Sequence, residues 1–195
     1  MRADARANRT ALIEAARRLY TTKGPDVPFG AIAEEAGVGV GTLYRHFPGQ
    51  LDLVVGIAET LREEIHEITD RWREPMSTDP EEAWPRFVAD IVDMRVAAYM
   101  PRVVEGIVTD EVVPRVASIR RDALTDLESI LDLARSAGLV EPSVTAEQFQ
   151  IGLAVVTRPL PEATTVLLPD VTEWLVDVYL AGLRPSAEPE APPSR

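Results

Sequence analysis

With 195 residues, 46% of them hydrophobic and 27% charged, the chain is long enough to bury one or two cores and has the make-up of a soluble domain. It has no cysteine, which excludes disulfides and thiolate metal sites, and no apolar run approaching roughly 18 residues, so no membrane span is expected. The net charge of −12 argues against a nucleic-acid partner until its distribution is read: residues 1–50 hold seven Lys/Arg against five Asp/Glu, and the rest hold 13 against 27. A mildly basic end on an acidic body suits a protein that meets an anionic polymer with one face.

The opening run MRADARANRT has no apolar stretch of the kind a secretion leader needs, so a cytoplasmic protein is expected. Arg2, Arg6 and Arg9 read as a basic, frayed arm able to reach phosphates. Leu12, Ala15, Ala16 and Leu19 recur at helical spacing and predict a helix over about 8–22, stopped at Lys23-Gly24-Pro25. A shorter helical run, Ile32 to Ala36, stops at Gly37, a residue suited to the left-handed position that ends a helix. Another compact segment, Thr42 to Phe47, halts at Pro48. Helix, tight glycine-bearing turn, helix is the sequence form of a helix-turn-helix, whose second helix enters the major groove of DNA. Ile32, Ala33, Ala36, Val38, Leu43 and Phe47 can lock the two helices together. Thr42, Tyr44, Arg45 and His46 then point outward as donors, and Gly41 leaves room for a phosphate to approach.

Leu51 to Trp72 reads as one long helix with Val54, Ile57, Leu61, Ile65, Ile68 and Trp72 inward and Glu59, Glu63, Glu64 and Glu67 on its wet face. His66 has no partner constellation and is expected at the surface. Glu74 to Pro80 reads as a loop, with Asp79 as a cap and Pro80 in the first turn of the next helix. That helix carries Trp84, Phe87, Ile91, Met94 and Ala98 and ends at Met100-Pro101, and a short irregular or helical piece is expected at Val103 to Val108. A long helix from about Glu111 to Ala137 turns Val116, Ile119, Ala123, Leu127, Ile130 and Ala134 inward and closes at Gly138. Thr145 to Gln148 is a capping box opening a helix to about Thr157, and Val171 to Leu183 is the last helix. The tail 184–195 is Pro-rich and polar and reads as disordered. Strand signals are lacking, so the expected fold is all-α: a head over 1–55 and a helical body over 56–183.

The run AEEAGVGVGTLYRHFP, with the helix Ala11 to Tyr20 and Lys23-Gly24 upstream of it, closely resembles the DNA-binding signature of the tetracycline-repressor (TetR) family of transcriptional regulators. The resemblance covers roughly the first 55 residues. It implies a homodimeric repressor that binds double-stranded, near-palindromic operator DNA and is released by a small-molecule effector. It also implies that Val40, Thr42, Tyr44 and His46 face DNA, while Gln50 stands where the family usually has a phosphate-binding Lys. The expected DNA-binding set is therefore Val40, Gly41, Thr42, Tyr44, Arg45, His46 and Gln50.

Other functions fare poorly. Gly37-Val38-Gly39-Val40-Gly41 looks like a phosphate loop but follows a helix rather than a strand. Two histidines and no cysteine supply neither a catalytic nor a metal constellation, so no enzyme, cofactor or metal site is expected. A helical interaction module without DNA binding is the alternative, disfavoured by the outward residues of the head. In the body, Phe87, Ile91, Met94, Tyr99 and Ile119 are candidates for an adaptable apolar effector pocket. A dimer seam is expected on the last two helices, with Phe149, Gly152, Leu153, Val156, Trp174 and Val178, because Phe149 to Val156 is apolar nearly all round and Gly152 and Ala154 permit close approach.

Overall fold

The computed structural model describes residues 2–24, 26–100 and 112–185, and among these the regular elements are all helices. They are α1 (Arg2–Lys23), α2 (Phe29–Glu35), α3 (Val40–His46), α4 (Gln50–Thr78), α5 (Pro80–Asp93), α6 (Val112–Ser136), α7 (Ala146–Val156), α8 (Glu162–Leu167) and α9 (Val171–Gly182). Residues 96–100 are helical again after a break behind α5. No described helix is long and apolar enough to cross a membrane.

Two apolar clusters organise the chain. The first gathers Leu12, Leu19, Ile32, Leu43, Phe47, Leu53 and Ile57 from α1 to α4, with Tyr99 added from the body. The second gathers Leu61, Ile65, Trp84, Phe87, Leu127, Ile130, Phe149 and Leu153. α4 runs through both and packs chiefly on α6. Helix ends follow the turn chemistry of the sequence. Gly37 (φ +68°) closes α2 with its N–H on the Glu34 carbonyl, while the Val38 N–H reaches Ala33. Gly138 (φ +73°) repeats that pattern behind α6 on Arg135 and Ala134. Both are left-handed caps that spare the last carbonyls from going unpaired. The capping box at α7 forms as expected: Thr145 and Gln148 exchange hydrogen bonds of 3.2 and 2.9 Å. Beside it Glu128 accepts from the Ala146 N–H (2.9 Å) and from Arg135 (2.7 Å), tying α6 to the start of α7.

Four sequence expectations change. The N-terminal arm is helical, and Arg9 is fixed rather than frayed: its guanidinium pairs with Glu59 at 3.0 Å and lies over the Phe47 ring. Residues 74–78 are not a loop; α4 continues past Pro75 to Thr78. Pro75 withholds one backbone donor near the helix end, where few bonds remain to lose. Buried Met76, together with Ser77 and Thr78 hydroxyls on the Arg73 and Glu74 carbonyls, holds that last turn. Asp79 then caps α5 by accepting from the Glu82 N–H, and Pro80 follows as expected. The helix expected through Met100 breaks at Met94-Arg95, where Arg95 has φ +52°, the left-handed region that costs a non-glycine residue energy. Finally, His66 does have a partner, Asp126 on α6 at 3.2 Å, and two glutamates of the wet face are tied down as well, Glu59 by Arg9 and Glu64 by Arg17. The piece expected at Val103 to Val108, the residue Glu111 and the tail 186–195 lie outside the described residues.

Candidate nucleic-acid interface and ligand cavity

α3 is a short helix with two characters. Leu43 is fully buried and Phe47, just past its end, is 2% exposed, so the inner side is anchored in the head's core. On the flank beside Leu43, Val40 is 44% and Tyr44 52% exposed, which leaves apolar and aromatic surface on the outer side of the helix. Gly41 and Arg45 are exposed, and Thr42 and His46 are half-buried. The spaces above Gly39 and Gly41 are open, so another backbone could come close there. Arg45 Nε donates to the Gly41 carbonyl at 3.3 Å, which lays the guanidinium back along α3. The Tyr44 ring leans on Phe29 of α2 with centroids 5.5 Å apart, so it is positioned rather than loose.

Gln50 opens α4 next to this face and shares a recess with Asp26, Phe29 and Tyr44. It also lies near the Tyr20 phenol: burial pushes that group up to about 12, and the neighbouring Gln50 side chain partly opposes the shift. The Gly49 N–H at the same helix start is taken by the Asp52 carboxylate at 3.1 Å. The seven expected DNA-binding residues thus lie together on α3 and the start of α4.

The head's basic charge is partly spent inside the protein. Arg9 pairs with Glu59, Arg18 with Glu35 at 3.0 Å, and Arg17 donates to both Glu64 oxygens at 2.8 and 3.0 Å. Burial opposes the charged form of Arg17 most strongly, but the Glu64 hydrogen bond and the charge interactions with Tyr99, Glu64 and Glu14 together outweigh it and raise the guanidinium above its ordinary value. Arg45 is the cation left on the reading helix, without an ion pair among the described residues.

In the body, a cavity of about 490 Å³ opens between α4, α5, α6 and α7. Ile91 and Met94, two of the effector-site candidates, line it together with Leu61, Ile65, Leu127 and Ala154. Three expected members do not: Phe87 is fully buried against Trp84 (5.7 Å between rings), Tyr99 lies towards the head, and Ile119 is half-exposed on α6 without touching the cavity. Phe149 and Leu153, expected at a dimer seam, instead line this cavity and are 0% and 4% exposed. Their side chains belong to the chain's own core because α7 is covered there by α6 and α9. The apolar character all round α7 gave that inner side away, but not which of its stripes faced in.

Gly152 serves close approach within the chain: a methyl group there would meet the Tyr179 ring and hydroxyl at 2.5 to 2.7 Å. Tyr179 crosses that gap to donate to the Phe149 carbonyl at 2.9 Å, and burial pushes its phenol up to about 12. Val156 is half-buried. Trp174 and Val178, by contrast, stand 60% and 50% exposed on α9, beside Ile151 (57%) and Val155 (67%) on α7. Each pair is spaced four residues apart, so two neighbouring helices show one apolar stripe each. The exposure of Ile151 and Val155 is not readable from the sequence, because inward and outward apolar residues look alike there.

Comparisons with known proteins agree with this geometry. Residues 12–57 match the family described as bacterial regulatory proteins, tetR family, and residues 79–185 match the C-terminal domain of SbtR-like transcriptional regulators. A TetR transcription regulatory protein from Mycobacterium vanbaalenii is 31% identical, with a TM-score of 0.63 over 94% of this chain and 99% of that one. The regulator SCO0520 from Streptomyces coelicolor is 26% identical, with a TM-score of 0.65 over 92% and 99% of the two chains. Among curated relatives, the HTH-type regulator SAUSA300_2515 of Staphylococcus aureus is 44% identical over 54 residues, 27% of this chain and 29% of that protein's length. A reading head at 12–57, a regulator body at 79–185 and the same fold over nearly the whole of two regulators leave one conclusion: the chain belongs to the TetR family of transcriptional regulators.

Proposed function

We propose that this regulator is a cytoplasmic, non-enzymatic homodimeric repressor that reads a near-palindromic operator through α3 and lets go when a small apolar molecule enters the body. The observation that carries the reading is the seating of α3: Leu43 and Phe47 are buried and fix the helix, while Val40 and Tyr44 on the flank beside them stay 44% and 52% exposed. Such side chains suit contacts with base edges, thymine methyls and phosphates. The effector part rests on the 490 Å³ cavity, of the size that holds a small ligand, and on its mostly aliphatic walls. The dimer part rests on the stripe of Ile151, Val155, Trp174 and Val178, apolar surface that water disfavours and a twofold partner would cover. The working division of the chain is a head at 1–55 and a body at 56–183.

The experiment is selection of bound fragments from the source genome, followed by footprinting. A protected site with two inverted half-sites, lost in Tyr44→Ala, is expected. A folded protein that retains no fragment overturns the reading and leaves a helical interaction module instead.

A further inference from the structure

Head and body are separated by a second cavity, about 860 Å³, whose walls come from α1 on one side and from the end of α5 and the residues after α7 on the other. Its chemistry differs from that of the apolar cavity. Tyr99 lines it, is 2% exposed, and its hydroxyl has no hydrogen-bond partner among the described residues. Arg17 lines it too, with its Cζ 5.4 Å from the centre of the Tyr99 ring. Nη1 of Arg17 is used on Glu64, but its buried Nε and Nη2 have no partner there either. A buried donor without an acceptor costs folding free energy, so unused donors gathered at one cavity call for an acceptor. Burial pushes the Tyr99 phenol up to about 12, which keeps it a donor at neutral pH.

The wall charges point the same way. Among the described residues, Arg95 and Arg158 face this cleft with no ion pair; of its two carboxylates, Glu14 reaches Arg18 only at 4.0 Å and Asp93 has no ion pair. Arg95 holds its place in the left-handed conformation, a cost that structure tolerates most often at functional positions. Between these polar groups the walls are aliphatic, with Val92, Met94 and Leu160.

We infer that the head–body cleft is a binding site for an amphipathic organic anion, whose carboxylate or phosphate meets the Arg95, Arg158 and Tyr99 donors while its apolar part lies on Val92, Met94 and Leu160. It is a site separate from the 490 Å³ cavity, with Val92, Met94 and Thr157 as the shared partition. An occupant touches α1 of the head and α5 of the body together, so it biases their relative seating; that consequence for DNA rests on the function proposed above, whereas binding itself does not.

Calorimetric titration of the full chain without DNA tests the site, using octanoate, octyl phosphate and octanol as probes. At least one anion is expected to bind about 10-fold or more tightly than the neutral alcohol, the increment of a charge-assisted hydrogen bond, and the better anion identifies the headgroup. Arg95→Asn with Arg158→Gln should abolish that preference; Asn suits a left-handed position. Tyr99→Phe, which removes only an unpartnered hydroxyl, should weaken the anion several-fold at a melting temperature no lower than that of the parent. Ala154→Trp, at a residue that lines the apolar cavity and not the cleft, should leave the anion preference intact. Equal affinity for anion and alcohol overturns the inference, as does a preference that survives the double variant or disappears in Ala154→Trp.

Discussion

Tyr44 has two attachments that substitution can separate. Its ring rests on Phe29 at 5.5 Å, and half of its surface is exposed on the reading side. Tyr44→Phe keeps the aromatic pair and removes only the hydroxyl. It is expected to weaken operator binding about 10-fold while the thermal midpoint stays put, measured by anisotropy and calorimetry. Tyr44→Ala also gives up the ring contact and should cost roughly 1 kcal/mol of stability as well. Gly152 offers a sharper residue-scale test, because a methyl group there meets Tyr179 at 2.5 Å. Gly152→Ala should destabilise the fold by about 1–3 kcal/mol in urea unfolding, even though alanine is the better helix former. The glycine's small size was legible in sequence; its neighbour was not, since Tyr179 is 27 positions away and a partner chain would have made the same demand.

At the scale of elements, the contact between α4 and the end of α3 depends on Gly56. A Cβ there would lie 2.6 Å from Phe47, whose ring is backed by the head's core and cannot retreat. Gly56→Ala should gain up to about 1 kcal/mol of helix propensity and lose more to overpacking. The net result is a less stable head with α3 tilted and weaker DNA binding. Adding Phe47→Leu to Gly56→Ala should cost less than Phe47→Leu alone, by about 1 kcal/mol in a double-mutant cycle of urea unfolding. The short helices α2 and α3 were legible because their ends carry hard signals, Gly37 and Pro48. Two boundaries were not. Pro75 reads as a stop, yet buried Met76 anchors the turn beyond it. The break at Arg95 carries neither glycine nor proline, so periodicity runs through it unmarked.

For the whole molecule, assembly and charge set the terms. Val178→Arg places a cation in the middle of the exposed stripe without touching the protomer's core. Light scattering should then report a monomer at micromolar concentration and footprinting a loss of operator protection; a persisting dimer would move the seam elsewhere. Because Arg9, Arg17 and Arg18 are committed to internal pairs, few cations remain to displace counterions from DNA. Gln50→Lys should therefore steepen the dependence of log K on log salt by about 1.8 per dimer, near 0.9 for each added phosphate contact. An unchanged slope would mean that residue 50 stays turned to Tyr20, and Arg45→Ala would then be the variant that flattens it.

α4 passes without a joint from the head's cluster to the body's, and the head match ends at residue 57, inside it, while the body match begins only at 79. The helix is thus a ruler with teeth. One residue inserted between Ala58 and Leu61 would turn the head about 100° around the body and lift it about 1.5 Å, carrying α3 off its half-site. Seven residues would bring the head back to within about 20° of its bearing but about 10.5 Å farther out. Lengthening within a lineage can therefore proceed only in near-whole turns, and each successful step would have to be matched by a change in the distance between operator half-sites.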